Sequence, residues 1–197
     1  MSNEVLPDDK TLIDRFINQG DPQAFALLVE KYSSRAYQIA YGILGNREDS
    51  EEVAQDAFLR IHRALPNFRG DSEFSTWMYR IVINLARNKH RWHKIRGRGL
   101  EISINAPLEN SKQDGEMSID LPDDRLAPDQ ELIYQELKEH TRQAMESLPE
   151  SYRLAVTLRN IKELSYEEIA KILNCKVGTI KSKIARGREE LKNRLTL

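Results

Sequence analysis

A single cysteine, Cys175, stands in this chain of 197 residues, so no disulfide can close within it. A lone thiol also agrees with a reducing compartment. Seven prolines and nine glycines are too few for a collagen-like or low-complexity chain. Long apolar runs are missing too. None approaches the roughly twenty residues that a bilayer-spanning helix needs, which argues against direct membrane insertion. The opening MSNEVLPDDK has no basic region followed by an apolar core, so no secretory signal is expected and the expected location is cytoplasmic. Any excess of charge is missing as well, the net charge being -1.

What is present points to helices. A chain that is 40% hydrophobic and 31% charged reads as globular, and its length suits one medium domain or two small ones. The near-zero net charge conceals segregation. From Arg80 to Arg98 the charged residues are Arg80, Arg87, Lys89, Arg91, Lys94, Arg96 and Arg98, with no acid among them. A second basic block runs from Lys171 to Arg194, interrupted only by Glu189 and Glu190. Between the two lies acid: Glu101, Glu109, Asp114, Glu116, Asp120, Asp123, Asp124 and Asp129 outweigh Lys112 and Arg125. Two cationic patches joined by an anionic tether suit one polyanion gripped at two points.

Apolar residues recur at helical spacing on both sides of the tether. Asp21 and Pro22 open a helix that places Phe25, Leu28, Tyr32, Ala36, Ile39 and Ile43 on one face and ends at Gly45 and Asn46. The next begins with Glu48, Asp49, Glu51 and Glu52 at the positive end of its dipole, buries Val53, Ala57, Phe58, Ile61 and Leu65, and stops at Pro66. From about Gly97 the periodicity disappears amid Pro107, Pro122, Pro128 and acid, which describes a flexible linker. It resumes with Leu132, Ile133 and Leu137. The expected architecture is therefore all-α, with two small helical domains at 1–96 and 131–197 joined by a flexible acidic linker at 97–130. Alternation resembling a strand occurs only in LEISIN, too short for a sheet.

The carboxy-terminal stretch carries the most specific signal. SYEE, Ser165 to Glu168, matches a capping box opening a helix, NCKVG interrupts it, and a second helix follows with Val177, Ile180, Ile184 and Leu191 on one side. Its other side is polar and basic. Such a pair describes a helix-turn-helix whose second helix can enter a major groove, with Lys176, Thr179, Lys181, Ser182, Lys183 and Arg186 near bases or phosphates. An ordinary helical hairpin with a solvated basic face is the alternative.

In FRGDSEFSTWMYRIVINLARNKHRWHK, residues 68–94, Phe74, Met78, Ile81, Val82 and Leu85 make a buried stripe. Thr76, Arg80, Asn84, Arg87 and Arg91 make a different one, combining cations for phosphate with an amide able to read a base edge. Trp77 and Tyr79 flank it, either as stacking surfaces or as core. Aromatic and guanidinium planes beside a cationic track suit unstacked bases.

These segments, with GDPQAFALLVEKY, EEVAQDAFLRIHRAL, LPESYRLAVTLR and LSYEEIAKILNCKVGTIKSKIARGREEL, resemble the bacterial extracytoplasmic-function sigma factors in order and spacing over nearly the whole chain. The resemblance implies that the first domain binds the clamp of core RNA polymerase and reads and opens the minus-ten element. The second would read the minus-thirty-five element while docking on the polymerase flap. It implies a pocket for a flipped non-template base at Phe68, Arg69, Gly70, Asp71 and Ser72, and a minus-ten contact at Asn84. A clamp-binding surface follows at Glu52, Gln55, Asp56, Arg60 and Arg63. It also implies an anti-sigma factor, often membrane-bound. Where the family often has proline, this chain has Lys176, which trades a pre-set first turn for a phosphate contact. No cofactor or catalytic residue is implied.

Two other readings compete. A simple helix-turn-helix regulator leaves the first domain without a purpose. An enzyme would need a site, and Glu48, Asp49, Glu51, Glu52 and Asp56 lack a histidine to complete the usual metal set. They read better as a helix amino terminus and a partner-facing surface. His90 and His93 lie one turn apart within a cationic run that repels divalent ions, so they read as part of the nucleic-acid surface. Cys175 has no partner cysteine and reads as packing at the helix-turn-helix turn.

Overall fold

The computed structural model describes residues 7–100, 128–161 and 164–195, with the backbone alone for 97–100 and 128–135. Eight α-helices and one 3₁₀ turn make up the described residues, with no strand among them. They are α1 (Asp9–Gln19), α2 (Pro22–Leu44), α3 (Arg47–Ala64), α4 (Phe74–Leu100), α5 (Pro128–Ser147), α6 (Glu150–Asn160), α7 (Tyr166–Leu173) and α8 (Val177–Leu195), the 3₁₀ turn being Leu65–Asn67. The all-α expectation holds. Helix α4 runs to Leu100 and α5 starts at Pro128, so both reach into the span read as linker. The acidic residues Glu101 to Asp124, and most of LEISIN, lie outside the described residues.

Local chemistry sets the boundaries. Asp8, Asp21 and Asn46 each accept a backbone N–H with the side chain, and so satisfy orphan donors at the starts of α1, α2 and α3. Pro22 opens the first turn of α2, and Gly45 closes that helix in the left-handed region at φ 73°. In α7 the Ser165 hydroxyl accepts from the Glu168 N–H while the Glu168 carboxylate accepts from the Ser165 N–H, a complete capping box. Those hydrogen bonds hold the Glu168 carboxyl below its usual range.

Helices α1 to α4 enclose one core. Leu28, Ile39 and Ile43 of α2, Ile61 of α3, and Met78 and Val82 of α4 are almost wholly buried in it. Helices α6 to α8 build the second unit around Leu158, Ile169 and Ile180. Here Gly187 lets α8 approach α6 closely, since a Cβ at that position would lie 2.8 Å from Val156 Cγ2. The two units pack on each other through α2 against α6 and α4 against α7, so their buried residues form a continuous cluster. That contact decides which side chains of α4 face solvent.

Candidate nucleic-acid interface

Helix α4 buries an arc wider than a single stripe because α2, α3 and α7 all pack on it. Phe74, Met78 and Val82 are buried as their spacing predicts, Ile81 and Leu85 are half-buried, and Tyr79, Ile83 and Ala86 join the core. Tyr79 is therefore a core residue. Thr76, grouped by spacing with the open stripe, is buried to 5% exposure in the first turn, where the helix enters the domain. Past that turn the expected stripe is at the surface: Arg80, Asn84 and Arg91 are exposed and Arg87 is half-buried.

The loop before α4 stands over the helix start. Gly70 adopts φ 75°, a left-handed conformation that glycine takes without a Cβ clash, and it turns Arg69 and Asp71 outward. Phe68 lies at 5.0 Å between centroids from Trp77 and at 6.2 Å from Phe74, so Trp77 packs in an aromatic cluster that braces the loop. Loop, α1 and α4 border an open cleft of about 900 Å³ lined by Phe68, Arg69, Ser72, Thr76 and Arg80 together with Lys10. Lys171 and Asn174 of the second unit close its far side. Lys10 had no signal in the sequence, since α1 reaches the loop only through tertiary packing. The cleft sets apolar side chains beside cations and also beside the carboxylates of Asp9, Asp71 and Glu73, so a planar base held there would rely on Lys10, Arg69 and Arg80 for its phosphate.

Helix α8 carries the second cationic surface. Val177 is half-buried, and Ile180 and Ile184 turn into the core, while Lys176, Thr179, Lys181, Ser182 and Arg186 are exposed and Lys183 is half-buried. The first turn forms without proline: the Lys176 carbonyl accepts from the N–H of Thr179 at 2.9 Å and of Ile180 at 3.2 Å. Asn174, at φ 50°, provides the left-handed turn after α7, and the half-buried Cys175 packs against the core beside it. Lys181 lies 5.6 Å from the Tyr166 ring centroid. Arg186 is engaged by the Tyr152 side chain, whose hydrogen bond raises the guanidinium further above its ordinary value.

A third surface lies on α3. Gln55, Arg60 and Arg63 are exposed, and Asp56 pairs with Arg60 at 3.0 Å one turn away. Glu52 instead reaches Lys89 of α4 at 2.5 Å. Lys89 also pairs with Asp49 at 2.8 Å. Burial would raise the Asp49 carboxyl, but the hydrogen bonds from Lys89 and Asn46 outweigh it and hold the carboxyl low. Leu59, which the sequence reading left out, is 58% exposed on the same helix, a large apolar side chain amid charged neighbours.

Of the two histidines read as nucleic-acid surface, His93 is exposed and His90 is drawn partly inward. His90 is half-buried with its Nε2 at 3.3 Å from Arg153 Nη2, and His93 lies at 3.1 Å from Asp49. No cluster able to hold a metal ion occurs among the described residues. Nor is any described helix long and apolar enough to cross a membrane.

Known families match both units. The family described as Sigma-70 region 2 matches residues 28–95, from within α2 to most of α4, and Sigma-70, region 4 matches residues 139–191, from within α5 to most of α8. The RNA polymerase sigma-H factor of Pseudomonas aeruginosa is 38% identical over 184 residues, covering 93% of this chain and 91% of that relative. The ECF RNA polymerase sigma-E factor of Escherichia coli K12 is 38% identical over 189 residues, covering 95% and 94%. The chain belongs to the extracytoplasmic-function RNA polymerase sigma factors. As a sigma factor it serves promoter-specific transcription initiation. The fold of this sigma factor is also that of CnrH, solved in complex with the cytosolic domain of CnrY, with TM-score 0.66, 22% identity, and coverage of 96% of this chain and 98% of CnrH. The sigma factor RpoE of Bartonella quintana, solved with the anti-sigma factor NepR, shares it with TM-score 0.58, 20% identity, and coverage of 88% and 97%.

Proposed function

We propose that this sigma factor works through three surfaces of distinct chemistry. Helix α3 docks on the clamp of core RNA polymerase through Gln55, Leu59, Arg60 and Arg63, with Glu52 and Asp56 shaping the charge of that face. The loop of Phe68, Arg69, Gly70, Asp71 and Ser72 holds a flipped non-template base of the minus-ten element. Along α4, Arg80, Asn84, Arg87 and Arg91 track the strand. Helix α8 reads the minus-thirty-five element with Lys176, Thr179, Lys181, Ser182, Lys183 and Arg186, its domain resting on the polymerase flap. In domain terms, 1–96 binds the clamp and minus-ten element, 97–130 tethers, and 131–197 binds the minus-thirty-five element.

The observation that carries this reading is the union of the left-handed Gly70 loop, its Phe68–Trp77 brace and the cations beside it in one open cleft. Flipping a base costs a few kcal/mol of unstacking, which stacking against the cleft wall and neutralising the adjacent phosphates can offset. Trp77 and Thr76 serve this by supporting the loop from within rather than by touching DNA. No nucleotide hydrolysis is needed, so the protein acts as an initiation factor and not as an enzyme. It works in the cytoplasm, beside the polymerase. Its regulatory partner is an anti-sigma factor, soluble or membrane-bound, a class with which related folds have been solved.

Promoter-directed transcription by core polymerase tests the reading. Transcripts from defined start sites should require the protein. Asn84→Ala and Arg186→Ala should each lower them by about tenfold or more, the size of one lost base or phosphate contact. Binding to core polymerase without any promoter-specific transcript would mark a polymerase-associated regulator instead.

A further inference from the structure

Helix α4 continues beyond Arg91, where the proposed track ends, and its side chains from Arg91 to Arg96 are all exposed. Two of them are large and apolar: Trp92 is 51% exposed and Ile95 65%. The Arg96 guanidinium lies 3.6 Å from the centroid of the Trp92 ring. Asn84, Asn88, Trp92 and Arg96 stand four apart and are all exposed, so the pair continues a ridge that begins at Asn84.

The cations around this pair are open. Lys89 and His93 meet Asp49, and Arg87 meets Glu150. Glu146, which shares an open pocket with Lys94, is paired with Arg142 at 2.6 Å. Among the described residues Arg91, Lys94 and Arg96 have no ion-pair partner.

A tryptophan that only filled the core would be covered by α2, α3 or α7, and this one is not. The stacked guanidinium holds the indole while its own N–H groups stay able to donate. An apolar groove on a protein partner fits this patch poorly, because Arg91, Lys94 and Arg96 interleave with Trp92 and Ile95 and would lose their water on docking. The sugar-phosphate backbone of DNA fits it well: deoxyribose presents an apolar edge, and a phosphate follows at every step.

Length decides between unpaired and paired DNA. From Phe74 to Trp92 the helix rises roughly 27 Å at 1.5 Å per residue. That is about eight base steps of 3.4 Å, well away from the base held by the loop before α4. The carboxy end of α4 also leads into the segment 97–130 that ties it to the unit assigned to the minus-thirty-five element, which lies upstream.

We infer that Trp92, Ile95 and Arg96, with Lys94 and Arg91 beside them, anchor the chain on duplex DNA upstream of the minus-ten element. Trp92 and Ile95 lie against deoxyribose, the cations take phosphates, and base identity is not read. The inference rests on the three-surface reading above, from which it takes its direction along the DNA.

The test uses core polymerase loaded with the full-length chain and two fluorescein-labelled fork DNAs, both carrying the minus-ten element and lacking the minus-thirty-five element. In the short fork the duplex ends at the upstream edge of the element, and in the long fork it continues for two helical turns of random sequence. Native holoenzyme should bind the long fork about tenfold more tightly than the short one. The double variant Trp92→Ala, Arg96→Gln should keep its affinity for the short fork and lose most of that gain, a non-additivity that assigns the contact to the added duplex. Trp92→Tyr should restore part of it. Arg96→Gln alone should lower the salt slope on the long fork by about one, and Trp92→Ala should leave the slope unchanged.

A double variant that gains as much as the native chain from the added duplex would overturn the inference. So would weaker binding of that variant to core polymerase in the absence of DNA, which would make the patch a polymerase contact. A native holoenzyme that does not distinguish the minus-ten fork from one with the element scrambled removes the three-surface reading itself, and the inference with it.

Discussion

Gly70 is the residue on which the loop before α4, proposed above to hold a minus-ten base, turns. Its φ of 75° is free for glycine and costs other residues roughly 1–2 kcal/mol. No neighbour would meet a Cβ there, so a substitution strains only the loop and leaves the core alone. Gly70→Ala is expected to lower open-complex formation several-fold while shifting the melting temperature by only a few degrees, measured on the same preparation. An equal collapse of both would make Gly70 a folding residue. Residue identity was legible at this loop because glycine among Arg69, Asp71 and Ser72 has few structural uses other than a turn. Thr76 and Tyr79 were less legible. Helical spacing assigns each a direction around the axis, but how wide an arc is buried depends on how many neighbours pack on the helix, and α4 has three.

At the scale of elements, the chain wrote its boundaries plainly. Asp21–Pro22, Gly45–Asn46 and the Ser165–Glu168 box each satisfy backbone groups within a few residues, so local chemistry decides them. The contacts between α4 and α6 were not legible, because they join residues 63 positions apart. One of them gives a pH dependence. Arg153 is 3% exposed, and its Nη2 can only donate, so His90 must present a bare Nε2 to it. Its own Nε finds no acceptor among the described residues.

Burial first, and then the Arg153 charge, push the His90 imidazole below its ordinary value, with Lys94 acting the same way and Glu146 and Glu150 opposing. A depressed folded value means that the opened or unfolded chain binds the proton more readily. Stability is therefore complete above about pH 6.5 and falls as the pH drops below that value. His90→Gln keeps an acceptor for Arg153 without the titration. The native melting temperature should decline more steeply than that of His90→Gln between about pH 7 and pH 5.5. Parallel declines would place the titrating group elsewhere.

Over the whole molecule, segregated charge foretold two cationic surfaces but not that one domain would cover part of the other. A short residue pattern cannot report a contact such as Thr157 with Gly42, which spans 115 positions. The proposed function makes strand separation a joint act of this chain and core polymerase. Permanganate reactivity of unpaired thymines at one promoter tests this most directly, with the chain alone, core polymerase alone and both together. Reactivity around the minus-ten element should appear only with both, and should fall in Arg69→Ala while the footprint over the minus-thirty-five element remains. Opening by core polymerase without the chain, or a tight promoter footprint by the chain alone, would contradict the account.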